Sequence, residues 1–406
     1  MRICFASLFA VVLSAAASQA ARVPAPDPLQ GDGGVSDFYT WTDGDVPATP
    51  GRMLRTEPLD PALGLTMAGQ QMRILYTSTD GIDGKTPVVV SGAYFVPKGT
   101  PPAGGWPLAA WAHGTTGVGD TCAPSWNPRS ERDASYLNAW LQQGFAIVAT
   151  DYQGLGTPGP HPYLAVRPEA YSVLDSARAV LKAFPDVANR IVVIGQSQGG
   201  GAAFATAGTA SDYAPELGIR GSVATGVPYL RPEMLRPGHK TPPDQADPTV
   251  AYNLYIGIMM QQRDPSLTAD QLVTERARPL FEEARSTCAG KLLQDVLQAG
   301  LNRENALQPE YVTAFKAVLP TMEYTTMHLL QPLFVGTGEQ DHDVPPASQL
   351  ALVRDACAAG SVVDAHLYAG LNHSKTVHAS LKDSVPFVRK LLAGEPITPM
   401  CEPAAE

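Results

Sequence analysis

The chemistry that the sequence suggests most directly centres on Ser197, in the G-x-S-x-G run from Gly195 to Gly199. The bulky apolar residues Ile191 to Ile194 before it are typical of a strand buried on both faces, and the small residues after it allow a helix to begin close to the sheet. Glycines on either side of the serine remove side chains that would clash in so sharp a turn. This context predicts a nucleophile elbow with Ser197 at its tip; the alternative is a glycine-rich connection with an incidental serine.

An acid is expected next, because a serine hydroxyl needs a histidine base and a carboxylate that holds the histidine's tautomer. Behind such an elbow the acid precedes the histidine in the chain. Asp341 lies three residues before Val344-Pro345, in the D-x-x-V-P turn that follows such strands. Asp343 is the alternative acid, but its position directly before Val344 favours a cap for the next helix. We therefore predict Asp341.

The base is to be found among the four histidines that follow Asp341, which are His342, His366, His373 and His378. His366 falls inside the last predicted strand and His378 inside the last predicted helix. His373 lies in the loop from Gly370 to Ser374 just after that strand, where a mobile base belongs. We predict His373 as the base, and the alternative is a solvated loop histidine.

Two backbone amides should stabilise the oxyanion that forms when the serine attacks. One is the amide of Gln198, directly after the nucleophile. The second should come from the run His113 to Gly117, which follows the predicted strand ending at Ala112. We predict Thr115, with Thr116 as the alternative donor; a plain glycine turn is the other interpretation of this run.

A metal centre is not predicted. Asp341-His342-Asp343 brings three ligand residues together, two aspartates and a histidine, but the sequence offers no fourth ligand nearby and no H-E-x-x-H. We expect no cofactor.

The elements that must position these residues alternate between strands and helices. Strands are predicted at 71–79, 87–96, 107–112, 145–150, 191–194, 220–227, 332–336 and 362–368, and helices at 129–143, 168–184, 199–210, 347–359 and 377–392. The first two strands form an antiparallel pair around the turn at 80–84. The alternation that follows predicts an α/β fold whose mostly parallel sheet has helices on both faces.

A helical insertion interrupts this alternation between the sixth and seventh predicted strands. Helices are predicted there at 249–262, 269–283, 291–297 and 309–318, with no strand among them. An insertion at this point emerges on the ligand-binding edge of the sheet, which predicts a cap over the site; a plain elaboration of the scaffold is the alternative. The predicted organisation is an irregular arm at 21–61, core at 62–230, cap at 231–328 and core at 329–406.

Charge and composition narrow the partners. The 406 residues include 44% hydrophobic and 17% charged residues, and the net charge is −10 with a pI near 5.3. This acidic balance and the lack of a basic run argue against a nucleic-acid groove or an anionic membrane surface as a partner, and a neutral substrate fits better.

Export is predicted from residues 1–20, in which Arg2 precedes an apolar run and small residues ending at Ala20. The mature chain should begin near Ala21 and be secreted or periplasmic, and no later stretch is long and apolar enough to span a bilayer. Removing Cys4 leaves Cys122, Cys288, Cys357 and Cys401, an even number that favours two disulfides in an oxidising compartment. The sequence alone allows three pairings.

Taken together, these motifs resemble the secretory lipase family of α/β-hydrolases, the yeast lipase-A type and its bacterial relatives. The resemblance covers about residues 45–401. It depends on the runs Pro50 to Arg55, His113 to Gly117, Cys122 to Ser125 and Asp151 to Gly154, on the elbow, and on the acid and histidine turns. It implies an α/β-hydrolase fold with a helical cap between the sixth and seventh strands, hydrolysis of triacylglycerols or other esters, and disulfides Cys122–Cys288 and Cys357–Cys401.

The predicted function is therefore that of an exported serine carboxylic-ester hydrolase, of lipase or esterase type, that works through an acyl-enzyme. The partner is a small or lipid ester, with transient lipid-interface contact through the cap. A serine peptidase or amidase on the same triad is the alternative enzyme. A non-catalytic binding protein on a hydrolase fold is the alternative from another class.

Overall fold

Nine strands form one sheet in the part of the chain that the computed structural model describes, residues 35–231 and 245–405. They are β1 (Met53–Pro58), β2 (Ala68–Thr79), β3 (Pro87–Pro97), β4 (Trp106–Ala112), β5 (Ala146–Thr150), β6 (Val187–Gln196), β7 (Ile219–Thr225), β8 (Leu333–Gly338) and β9 (Val363–Tyr368). Their order is β1-β2-β3-β5-β4-β6-β7-β8-β9. The pairs β1–β2, β2–β3 and β3–β5 are antiparallel, and the other five pairs in this order are parallel. This agrees with the predicted mostly parallel sheet.

Helices cover both faces of the sheet and fill the insertion. The core helices are α1 (Glu131–Gln142), α2 (Val166–Ala183) and α3 (Gln198–Tyr213). The insertion holds α4 (Val250–Arg263), α5 (Ala269–Leu272), α6 (Arg278–Glu283), α7 (Ala289–Gln298), α8 (Arg303–Ala306) and α9 (Glu310–Val318). The chain ends with α10 (Pro346–Ala358), α11 (His373–Ala379) and α12 (Leu381–Ala393). The predicted signal peptide, residues 1–20, lies outside the described residues.

Strand β6 shows how the sequence builds this core. Ile191 and Val193 pack on one face of the sheet against α2 and α3, whereas Val192 and Ile194 pack on the other against α1 and α12. All four side chains are fully buried. Each contributes about 1.5–3 kcal/mol relative to an exposed position, so consecutive apolar residues hold the strand before the elbow from both sides.

The structure corrects the prediction of an irregular arm at 21–61, because β1 lies within it. This strand is at the edge of the sheet and pairs only with β2, so most of its side chains are half-buried or exposed. An edge strand of this kind carries no apolar alternation that the sequence would reveal. The extra strand also changes the count, so the insertion lies between the seventh and eighth strands of the structure, β7 and β8.

Two predicted helices are each divided in the structure. The helix predicted at 269–283 is divided into α5 and α6, and Val273 between them bridges to Leu307 instead. The helix predicted at 377–392 begins earlier, at His373, and breaks at Ser380, whose hydroxyl donates to the carbonyl of Val377 over 2.7 Å. A hydroxyl that bonds its own helix backbone competes with helix continuation.

The insertion has its own apolar core, centred on α4. A disulfide and a backbone hydrogen bond are among the links that join it to the sheet domain. Cys122 in the core is bonded to Cys288 at the start of α7, and the amide of Ala289 donates to the carbonyl of Thr116 over 2.8 Å. A second disulfide joins Cys357 to Cys401. These are the two pairings that the resemblance implies. Within residues 35–231 and 245–405, no helix has both the length and the apolar character needed to cross a membrane.

Candidate active site

Ser197 lies at a strained turn between β6 and α3. Its backbone has φ 59° and ψ −124°, a conformation that residues with a side chain rarely adopt. A Cβ at Gly195 would collide with the carbonyl of Gly199, and one at Gly199 would collide with the carbonyl of Ala112. The two glycines are therefore required sterically, which is the local geometry that the sequence predicts for a nucleophile elbow.

Asp341 and His373 form a buried pair beside the elbow. The Nδ1–H of His373 donates to Oδ2 of Asp341 over 2.7 Å, and the two side chains are 7% and 1% exposed. The amide of Gln349 donates to the same oxygen over 2.9 Å, and the backbone N–H of Val344 donates to Oδ1 over 2.8 Å. The carboxylate is thus fixed by three donors and holds the imidazole as the Nδ1–H tautomer, with a lone pair on Nε2.

His373 differs from its prediction in one respect. It begins α11 instead of lying in a loop, because the side chain of Asn372 caps this helix by accepting the N–H of Lys375 over 3.0 Å. Its ring packs against Gly226, where an added Cβ would come within 2.5 Å of Cε1. The predicted base is therefore held by a helix terminus and a tight backbone contact instead of being mobile.

The other acid and histidines lie elsewhere. Asp343 was expected to cap the next helix, but α10 has Pro345 at its cap without a side-chain hydrogen bond. The exposed carboxylate of Asp343 instead accepts from the hydroxyl of Tyr252 over 3.0 Å, because it points toward the cap. The remaining histidines are His342, exposed in the turn, His366 in β9, and His378, which lies in α11 and not in the last helix.

Gln196, which sequence reasoning missed, contacts Nε2 of the predicted base His373, the ring nitrogen that Asp341 leaves free. Its side-chain amide is 2.8 Å from Nε2 of His373, and the residue is 1% exposed. Among the described residues, no hydrogen bond joins the hydroxyl of Ser197 to His373. Hydrogen bonds between a nucleophile and its base are often long before substrate binds, so this absence does not argue against a catalytic role for Ser197 and His373.

Thr115 and Gln198 lie together with Ser197 on one cavity wall. In the described residues neither backbone amide has a hydrogen-bond acceptor, so both are available to an oxyanion. The hydroxyl of Thr115 is 2.7 Å from that of Tyr163, which fixes its side chain. Thr116, the alternative donor, does not line this cavity and is bonded through its carbonyl to α7.

A buried polar cluster behind Gln198 was also missed by sequence reasoning. The side-chain amide nitrogen of Gln198 donates to Oε1 of Glu169 over 2.8 Å and lies 3.3 Å from Nε2 of His161. Burial raises the pKa of Glu169 to about 8 and lowers the pKa of His161 to about 4. Both groups are therefore uncharged at neutral pH, and the cluster holds Gln198 without burying a net charge.

Two cavities meet at Ser197, and we call them the smaller and the larger cavity. The smaller has a volume of about 290 Å³ and the larger about 720 Å³. Thr115, Ser197, Tyr252 and Asp343 line both. The smaller has a largely apolar wall that includes Leu164, Leu230, Ile256, Phe315 and Val344. The larger has a more polar wall that includes Asn127, Arg129, Ser130, Arg132, Asp133 and His373.

One group of side chains has the chemistry of a metal site. Asp341, Asp343 and His373 each offer a ligand atom, and these atoms lie within 4.8 Å of one another. Two of the three are already hydrogen-bonded to each other, so a cation would have to break the pair that orients the base. The donor set fits a catalytic acid and base better than a metal centre.

The comparisons with known proteins fit this geometry. The sequence profile of the secretory lipase family matches residues 129–398, well over half of the 406 residues. The chain belongs to the secretory lipase family. This confirms the family that the sequence motifs predict.

Among relatives of this member of the secretory lipase family, Lipase 7 of Candida albicans is 31% identical over 122 residues. The match covers 27% of this chain and 28% of the length of that protein. Candida antarctica lipase A in its closed state superposes with a TM-score of 0.74 at 18% identity, covering 91% of this chain and 89% of that one. A rice cell wall degrading esterase from Xanthomonas oryzae gives 0.66 at 19% identity, with 86% and 100% covered. At these identities the two structures support the fold, and they confirm the predicted α/β-hydrolase fold.

Proposed function

We propose that this secretory lipase is an exported serine carboxylic-ester hydrolase that works through an acyl-enzyme. The observation that carries the proposal is the strained elbow at Ser197 next to the buried pair of His373 and Asp341. Nucleophilic acyl transfer requires a serine, a histidine and an acid. They occur here in the chain order expected for this fold, which is serine, acid, histidine.

In the proposed mechanism, the Oγ of Ser197 attacks the ester carbonyl while Nε2 of His373 takes the hydroxyl proton. Asp341 holds the imidazole by Nδ1 and stabilises the imidazolium. The amides of Thr115 and Gln198 stabilise the oxyanion. His373 then gives the proton to the leaving alcohol, and water repeats the sequence on the acyl-enzyme to release the acid.

The two cavities suggest how an ester is oriented. We propose that the acyl chain occupies the smaller cavity, since its apolar wall matches hydrocarbon and it contains both oxyanion donors. The alcohol part occupies the larger cavity, whose polar side chains suit hydroxyl-bearing groups. Acylglycerols and short soluble esters both meet this description, and contact of the cap with a lipid interface belongs to the same proposal.

The nucleophile is tested by Ser197→Ala with chromogenic acyl esters. Hydrolysis should fall to the background rate, since no other group can form the acyl-enzyme. The matched control is Ser211→Ala, an exposed serine at the end of α3, which should keep wild-type activity. Full activity in Ser197→Ala would exclude the proposal. Faster turnover of aminoacyl amides than of esters would favour the peptidase alternative.

The substrate range is tested by an acyl-chain-length profile measured with and without an emulsion interface. A rise in rate at the interface would support lipid contact through the cap, and an unchanged rate would favour soluble esters. Export is tested separately by sequencing the N-terminus of protein recovered outside the cytoplasm, which should begin near Ala21.

A further inference from the structure

We propose that Gln196 is a positioning residue that holds the base of this enzyme in its resting state and sets the pH range in which the base works. The inference builds on the proposed function. It begins from the contact between the side-chain amide of Gln196 and Nε2 of His373, at 2.8 Å in a buried site.

The direction of this hydrogen bond follows from the other side of the ring. Asp341 accepts the Nδ1–H of His373, so the neutral imidazole has its proton on Nδ1 and only a lone pair on Nε2. The Nε2–H of Gln196 must then be the donor. An imidazolium has a hydrogen on both nitrogens and cannot accept this bond, so Gln196 favours the neutral base.

The same lone pair must later take the proton of Ser197. An imidazole nitrogen has one lone pair, so the amide of Gln196 and the hydroxyl of Ser197 compete for it. The hydrogen bond from Gln196 to His373 is easier to break because, within residues 35–231 and 245–405, no second hydrogen bond anchors the side chain of Gln196. Its buried Oε1 has no hydrogen-bond partner in the described residues. This oxygen lies next to Gly114, where an added Cβ would be 2.5 Å from it and 3.5 Å from the Cβ of Ser197.

Other charged groups also face the base and must be held constant. Asp341 and Asp343 lie beside it after β8, and Arg129, Arg132 and Asp133 line the same cavity from the start of α1 and the loop before it. None of them changes when Gln196 is replaced. The difference between wild type and a Gln196 variant therefore isolates the amide.

The kinetic test compares Gln196→Met, which keeps the length but loses the N–H, with Gln196→Glu, which keeps the shape but places a carboxylate at Nε2. In Gln196→Met the midpoint of the acid limb of kcat/KM should move to higher pH by about half to one unit, which corresponds to the free energy of one hydrogen bond. It should move further in Gln196→Glu, because a carboxylate favours the imidazolium. A midpoint that stays or moves to lower pH in Gln196→Met would overturn the proposal. Gln298→Met and Gln298→Glu, at the exposed end of α7, are the controls and should not move it.

A second measurement does not depend on activity, and its main observation is made on the wild-type protein. Nitrogen NMR of wild-type protein with labelled histidine should show His373 with its proton on Nδ1 and an unprotonated Nε2, and Gln196→Met should shift the Nε2 resonance. A proton on Nε2 in the resting protein would refute the proposal even if the variants did not fold. If the nitrogen spectra agree but Ser197→Ala keeps full activity, the proposed function has failed and the role of Gln196 toward His373 stands.

Discussion

The two glutamines on either side of Ser197 belong to two different regions of the site. On the oxyanion side, the side-chain amide of Gln198 contacts Glu169 and His161, and all three residues are buried. On the base side, the side chain of Gln196 makes one hydrogen bond within the described residues, to His373, at the wall of the larger cavity. The predicted oxyanion donor Gln198 is therefore held by contacts already present in the structure, whereas the predicted base would exchange one partner for another.

This difference matches what each side does in catalysis. Oxyanion donors stabilise the transition state best when they need no reorganisation, so a rigid neutral cluster behind Gln198 is favourable. A general base has to accept, hold and return a proton within one turnover. A second residue that can take over its lone pair keeps the base neutral between turnovers.

The largest effect that sharpens the comparison is expected from Asp341→Asn on the base side. An amide at this position no longer imposes the Nδ1–H tautomer, so kcat should fall by about ten thousand-fold. Steady-state kinetics on a soluble ester would measure it. Asp343→Asn is the matched control, since its carboxylate is exposed and, within residues 35–231 and 245–405, accepts a hydrogen bond from Tyr252 alone. A greater loss in Asp343→Asn would show that the acid had been assigned to the wrong aspartate.

The next effect is expected on the oxyanion side and concerns stability. Because burial raises the pKa of Glu169 to about 8, folding favours its protonated form. Its stabilisation is full below the unfolded value of 4.5 and is lost as pH rises through about 8. The full shift corresponds to a change on the order of 5 kcal/mol in the free energy of unfolding.

Glu169→Gln keeps the shape and stays neutral, so its unfolding free energy should depend less on pH between 5 and 9. Urea unfolding at several pH values measures this, with the exposed Glu304→Gln on α8 as the control. Parallel pH dependences for wild type and Glu169→Gln would mean that the carboxyl is ionised in the folded protein, against the neutral cluster described here.

The smallest effects should come from the walls of the two cavities. Ile256→Phe narrows the smaller cavity and should lower kcat/KM for long acyl chains by about ten-fold relative to short ones, as expected for a few methylene groups in a pocket. Leu293→Phe narrows the larger cavity and should discriminate among alcohols instead. Initial rates on two ester series, one varying the acid and one the alcohol, test both. If Leu293→Phe changed the acyl preference, the orientation of the ester would have to be reversed.

Residues whose roles depend on chain order could be predicted from the sequence. Ser197, Asp341 and His373 follow strands in a fixed succession, and the apolar runs of those strands are long enough to recognise. The structure brings Asp341 and His373 into direct contact and places Ser197 on the same cavity wall as His373. Their assignment as catalytic groups remains a prediction that the variants above would test.

Residues whose roles depend on side-chain contacts could not be predicted in this way. Gln196 is adjacent to the nucleophile, but only its rotamer brings it to a histidine 177 positions away in the chain. Glu169 looks like any polar residue in the first turn of α2, and His161 lies in a proline-rich loop without periodicity. One signal was available, since Asn372 is a favoured helix cap and could have shown that a helix begins at His373.

The disulfide Cys122–Cys288 gives the site a dependence on where the protein matures. It closes a segment of 166 residues that contains Ser197, and both of its cysteines line the larger cavity. The residue after Cys288 is the one whose amide holds the carbonyl of Thr116, next to the predicted oxyanion donor Thr115. Oxidation therefore ties the insertion to the run His113 to Gly117, and we expect full activity to arise only after the chain reaches an oxidising compartment.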